Sequence, residues 1–250
     1  MRILFIGDSI IRGTTGVNWI KHLARKHPRW TVENEGVNGD TLIKIRKRLA
    51  QKLKISRSYD AIVLEGGAND ILIPSLKDRG SLFSKAYGHL IEKGYHPLEA
   101  TEDIESVFHD MISLIQQRTK ATVILSTIGC MNEDHGFYLN EKRETINNII
   151  RKAARDNNCC LADPAAIFDQ YLSKRKTKNY FLESFLNTTY FDAFQCRVLN
   201  RADALSRKRG LHLTIDGLHL NSRGGVIWLN EVEKQLLGCH DPAWIKVLRR

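Results

Sequence analysis

No apolar run in this chain is long enough to cross a bilayer. No secretory leader is expected either, because Asp8 interrupts the opening apolar run before a cleavage site appears. These two absences predict a cytoplasmic protein. Cysteine is scarce: Cys130, Cys159, Cys160, Cys196 and Cys239 make an odd set without metal-ligand spacing. That pattern predicts reduced thiols rather than a disulfide framework, and no metal or cofactor is expected. Cys159 and Cys160 adjoin in an apolar run, so they are expected to be buried and are given no role. Linker-like tracts, repeats and low-complexity segments are also missing, and 250 residues suffice for one sizeable core. A single domain over 1–250 is expected, with insertions.

Acidic residues are outnumbered, and the net charge of +10 raises the question of nucleic acid or anionic ligands. The densest basic run is KIRKRLAQKLKISR, Lys44 to Arg57. Leu42, Ile45, Leu49 and Leu53 recur there at helical spacing, which leaves the basic side chains on a solvated face. Lys174, Arg175, Lys176 and Lys178 form a second cluster, and Arg207, Lys208 and Arg209 a third. None is accompanied by zinc-finger spacing or interleaved aromatics and glycines, which argues against a nucleic-acid partner.

Apolar strand-like runs alternate with helical patterns. Met1–Ile6, Trp30–Asn34, Tyr59–Glu65, Ala121–Thr127 and Cys159–Asp163 read as strands. Helices are expected around Asn18–Lys26, Thr101–Arg118 and Tyr138–Asp156, and a last one carries Val226, Leu229, Val232, Leu236 and Leu237 on its apolar side. Such alternation implies right-handed crossovers and a parallel sheet with helices on both faces, with ligands beyond the carboxyl ends of the strands. Two stretches break the alternation and read as insertions, about 72–100 and about 173–213. The second contains Phe181, Phe185, Tyr190, Phe191 and Phe194, enough aromatic surface to wall an acyl pocket or to pack a lid.

Four short motifs fall at predicted strand ends or before the last helix: Gly7-Asp8-Ser9, NEGVNGDT with Gly36 and Gly39, Gly66-Gly67-Ala68-Asn69-Asp70, and TIDGLHLN with Asp216 and His219. Together they supply what acyl transfer requires. A serine hydroxyl needs a base, and His is suited by a pKa near neutrality. The imidazole needs an acid that fixes its tautomer, and the oxyanion needs preorganised donors. Ser9 is the candidate nucleophile, His219 the base and Asp216 the orienting acid; the amides of Ser9 and Gly39 with the Asn69 side chain are the candidate oxyanion hole. Asp8 and Asp70 read as structural residues beside it, and Asp216 as a cap for a short helix carrying His219. Each residue also has a plainer reading: Ser9 as a helix cap, Gly39 as a turn glycine, Asn69 as a turn residue. His96 and His135 are marginal candidates for a pocket wall.

These blocks, GDSI (Gly7–Ile10), GVNGDT (Gly36–Thr41), GAND (Gly67–Asp70) and DGLH (Asp216–His219), resemble the SGNH hydrolases, the GDSL esterases and lipases, in order and spacing. Ile10 stands where the common form has Leu. The resemblance implies a three-layer α/β/α sandwich around a flavodoxin-like parallel sheet of about five strands. It also implies ester hydrolysis through a serine acyl-enzyme without metal, with the family roles on Ser9, Gly39, Asn69, Asp216 and His219. An α/β-hydrolase elbow, G-x-S-x-G, is excluded by Ile11 in the last position. A metal phosphoesterase using Asp8, Asn69 and His219 lacks further ligands, and a non-catalytic binding module has no need of all the polar blocks. The expected substrate is a small-molecule or carbohydrate ester of a short acyl group, acetyl in particular, with lysophospholipase and thioesterase chemistry as alternatives on the same fold.

Overall fold

A computed structural model describes residues 1–56, 58–77, 79–180 and 191–238. Five parallel strands, β1 (Arg2–Gly7), β2 (Thr31–Gly36), β3 (Ala61–Leu64), β4 (Thr122–Ser126) and β5 (Cys160–Ala162), form a sheet in the order β2-β1-β3-β4-β5. This is the flavodoxin order, whose switch point lies between β1 and β3. Ile3 lies beside Val32 on one flank and Ala61 on the other, and Val63 beside Ile124. Ile3, Leu4, Phe5 and Ile6 are wholly buried, as are Ala61, Ile62 and Val63, because helices cover both faces of the inner strands. The edge strand β2 carries Glu33, Asn34 and Glu35 and is only partly buried.

The first helices are α1 (Ser9–Arg12), α2 (Trp19–Lys26), α3 (Leu42–Ile55), α4 (Ala68–Ser75) and α5 (Ser81–Glu92). They are followed by α6 (Thr101–Arg118), α7 (Leu139–Asp156), α8 (Pro164–Leu172), α9 (Ala193–Arg197), α10 (Ala202–Arg209) and α11 (Ser222–Gly238). One layer runs α3, α6, α7; the other runs α2, α11, α8. Trp19 ties the second layer to the sheet: its ring meets Phe5 edge-on with centroids 5.6 Å apart, and its indole N–H donates to Ile10 O at 3.1 Å. No described helix is long and apolar enough to cross a membrane.

Several expectations need correction. Leu42, Ile45, Leu49 and Leu53 are buried on α3 as their spacing requires, but the basic side chains do not all face solvent. Arg48 turns inward: Nε donates to Asp40 Oδ2 at 2.6 Å and a terminal nitrogen to Gly7 O at 2.8 Å, and it also donates to Glu35 O. On α11, Trp228, Leu229, Val232 and Leu236 are buried, whereas Val226 and Leu237 are exposed. Cys130, Cys159 and Cys196 are free, but Cys160 is disulfide-bonded, because nearness in space and not spacing in sequence decides pairing. Cys159 and Cys160 are each only half-buried, since β5 is an edge strand. Cys239, Arg57, Phe181, Phe185 and Tyr190 lie outside the described residues. Phe191 and Phe194 are exposed, and the cavity that Phe191 lines with Tyr180 and Arg209 includes neither Ser9 nor His219.

Candidate active site

The switch point of the sheet gathers three of the four blocks on one rim. Ser9 follows β1 directly as the first residue of α1, whose N-cap is Asp8; Asp8 Oδ1 accepts from the Ile10 amide at 2.9 Å. Gly7 must be glycine here: a Cβ would come within 2.6 Å of Ile11 Cγ1 and 2.7 Å of Glu65 O. Gly39 lies in the loop from β2 to α3 with φ +80°, a left-handed conformation that disfavours side chains. Asn69 opens α4 after β3.

The fourth block arrives from the loop ahead of α11. Thr214 pairs with Leu220 as an antiparallel bridge, and the Ile215 amide donates to His219 O at 2.8 Å, so residues 214–220 form a tight return. No helix carries His219, contrary to expectation. Instead Asp216 Oδ1 accepts the amides of Leu218 at 3.0 Å and His219 at 2.7 Å, an Asx-type turn, and Oδ2 accepts a hydrogen bond from His219 Nδ1 at 2.6 Å. His219 Nε2 then lies 3.0 Å from Ser9 Oγ, across 210 residues of sequence.

The electrostatics follow from this arrangement. Burial acts to raise Asp216, but the charge and hydrogen bonds of His219 outweigh it and hold the carboxyl below its ordinary value. Burial acts to lower His219, but the Asp216 carboxylate, helped by Asp8, raises the imidazole above its ordinary value. The amides of Ser9 and Gly39 donate to no acceptor among the described residues. Asn69 Nδ2 donates to Asp40 O at 3.0 Å and Asp8 Oδ2 at 3.3 Å. Both partners are acceptors, which fixes the orientation of the amide.

Asp70 joins two backbone segments. Oδ2 accepts the Leu42 amide at 3.0 Å and Oδ1 the Leu98 amide at 2.8 Å, while burial pushes its carboxyl up to about 7. His96 and His135 are exposed and do not join the Ser9–His219 pair. Among the described residues no three of His, Cys, Asp and Glu gather to hold a metal ion.

Three residues of the site's support are not evident from the motifs. Glu65 directly follows β3 beneath the Ser9 turn; its Oε2 accepts the Asp8 amide at 3.3 Å and its buried Oε1 has no partner. Burial, and then the charge of Asp8, push the Glu65 carboxyl well above its ordinary value, and burial raises Asp8 as well. A Glu directly after the apolar run Ala61–Leu64 is the available signal. Arg48 stitches the Gly7 turn to the Gly39–Asp40 loop and stands at the margin of the apolar stripe of α3.

Glu133 is wholly buried and has no local sequence signal. It accepts the amides of His212, Leu213 and Thr214 at 2.7–2.8 Å and the Thr214 hydroxyl at 2.8 Å, and Thr214 Oγ1 in turn accepts the Gly217 amide at 3.1 Å. The loop carrying Asp216 and His219 is thus anchored on one carboxylate. Replacing Glu133 by Ala strands those donors in the core and is expected to cost about 3–5 kcal/mol, read as a lower urea midpoint. Gln, which keeps the oxygen with three of the bonds, is expected to cost less than half as much. Equal midpoints for all three proteins would show that the loop does not depend on Glu133.

Residues 5–225 match the GDSL-like Lipase/Acylhydrolase family. The chain belongs to that family. As a GDSL-like acylhydrolase it is a carboxylic ester hydrolase, and its fold is that of solved relatives. The acetyl xylan esterase AlAXEase superposes with a TM-score of 0.64 at 20% identity, over 94% of this chain and 100% of that one. Axe2, an acetylxylan esterase from Geobacillus stearothermophilus, gives 0.58 at 18% identity, over 94% and 93%. A lipolytic G-D-S-L family protein from Veillonella parvula DSM 2008 gives 0.58 at 15%, over 94% and 97%. No curated protein matches the GDSL-like acylhydrolase in sequence.

Proposed function

We propose that this acylhydrolase cleaves short acyl esters, acetyl on a carbohydrate first among them, through a Ser9 acyl-enzyme. The observation that carries the reading is the single imidazole bonded at one nitrogen to a buried carboxylate and at the other to a serine hydroxyl. Ser9 Oγ attacks the acyl carbonyl carbon as His219 Nε2 takes its proton, and Asp216 steadies the imidazolium. The carbonyl oxygen becomes an oxyanion received by the free amides of Ser9 and Gly39. The Asn69 amide joins them by giving up its longer bond, the one to Asp8. Collapse of the intermediate breaks the bond to the leaving oxygen, which receives the proton from His219. Water, deprotonated by the same nitrogen, then attacks the acyl-enzyme and releases the acid and Ser9. The acetyl preference is supported by the acetyl xylan esterases among the similar structures.

A fluorophosphonate probe tests the nucleophile. The expected result is a single adduct on the peptide containing Ser9, with p-nitrophenyl acetate hydrolysis lost in proportion and unaffected by chelators. Activity that a chelator removes and the probe spares would replace the serine mechanism with a metal-assisted one.

A further inference from the structure

The segment after α5 is fastened on both sides of Tyr95. Before it, Gly94 closes the helix with φ +76° and the Tyr95 amide donates to Leu90 O at 3.0 Å. After it, the Leu98 amide is held by Asp70 Oδ1 at 2.8 Å. The other oxygen of that carboxylate holds the Leu42 amide, three residues beyond Gly39. One side chain therefore sets the distance between the Tyr95 segment and the Gly39 loop.

The half-buried Tyr95 ring is also fixed in orientation. Lys44 Nζ, in the first turn of α3, lies 3.4 Å from the ring centroid. The ring edge faces Gly39, since a Cβ built at Gly39 would lie 3.6 Å from Tyr95 Cε1. Cβ and N share one Cα, so the ring edge is within about 6 Å of the Gly39 amide nitrogen.

This inference rests on the serine esterase reading. When the substrate carbonyl oxygen sits on the Gly39 amide, the leaving oxygen must face His219 Nε2 to receive its proton. Tyr95 stands on the Gly39 and α3 side, so the ester substituent that approaches it is the acyl group. We infer that Tyr95, clamped by Lys44 over Gly39, is the wall that limits acyl length and makes this a site for short acyl esters.

The test is kcat/KM for p-nitrophenyl acetate, butyrate and hexanoate with the wild type and three variants. Tyr95→Ala is expected to raise the hexanoate-to-acetate ratio by roughly ten- to a hundredfold, the effect of an opened wall that takes one or two of the four added methylenes at about a factor of ten each. Tyr95→Phe, which keeps the ring, should retain the wild-type ratio. Tyr95→Leu, closer in bulk, should move it in the same direction as Ala, and stands in for Ala if that variant fails to fold. A ratio unchanged in the Ala or Leu variant while the wild type is active overturns the wall. A wild type that hydrolyses none of the three esters overturns the esterase reading instead, and the wall with it.

Discussion

Ser9→Ala is expected to lower kcat on p-nitrophenyl acetate by about a millionfold, leaving only the turnover that binding and preorganised donors provide. The fold should survive, because the cap of α1 is the carboxylate of Asp8 and not the hydroxyl of Ser9. The substitution removes one side-chain hydrogen bond, to His219 Nε2, and a stability change within about 1 kcal/mol is expected. A second nucleophile is hard to find nearby. Cys130 lies under the same loop, its Sγ 3.3 Å from Gly217 O, but burial pushes its thiol well above the ordinary value and keeps it protonated. Measured together, an unchanged urea midpoint and a lost burst of p-nitrophenol isolate the chemistry. A folded Ser9→Ala protein with wild-type turnover would mean that the Ser9–His219 contact is structural.

Much of this arrangement is legible in the sequence, for reasons particular residues make plain. Ile3 to Ile6 form a continuous apolar run because β1 is interior and covered on both faces, and the sheet order then brings the turns after β1, β2 and β3 onto one rim. The polar blocks stand out because each interrupts or follows such a run. Periodicity was less exact on α11. At about 100° per residue, Trp228, Leu229, Val232 and Leu236 share an arc, while Val226 and Leu237 fall outside it. An i+3/i+4 count admits Val226 through its step of three to Leu229 and so draws the stripe too wide, whereas Trp228, four residues before Val232, belongs to it. Glu133 was invisible for a different reason: its partners are backbone amides 79–81 positions away, and an amide carries no side-chain signature. Arg48 was masked by composition, one cation in a basic run whose other members gave no cause to single it out. Asp216 shows both limits at once, since its pairing with His219 was readable while the Asx turn that replaces a helix was not.

Asp216→Asn is the second large effect expected, and its cause lies in the turn just described. Oδ1 accepts two backbone amides, so only an oxygen fits there. The new amide nitrogen must therefore occupy the Oδ2 position and donate to His219 Nδ1. That reverses the tautomer: the imidazole proton moves to Nε2, which faces Ser9 Oγ and can no longer accept from it. The same reversal in serine proteases costs about ten-thousandfold in kcat, and a loss of that order is expected here. The pH profile carries an independent sign. Only neutral His219 is a base, so wild-type kcat/KM should rise with pH through a midpoint above the ordinary imidazole value of 6.5. Without the Asp216 charge that midpoint should move down. Stability should move in a different window. A depressed Asp216 contributes above its unfolded value of 3.8, and a raised His219 contributes below 6.5 and is lost as pH rises through the folded value. The pair is therefore fully stabilising between those limits. The variant's stability deficit should be greatest there, at pH values where the wild-type enzyme is already losing its base, whereas its deficit in turnover persists at higher pH. An Asp216→Asn protein whose activity limb keeps the wild-type midpoint would show that this carboxylate does not govern the imidazole.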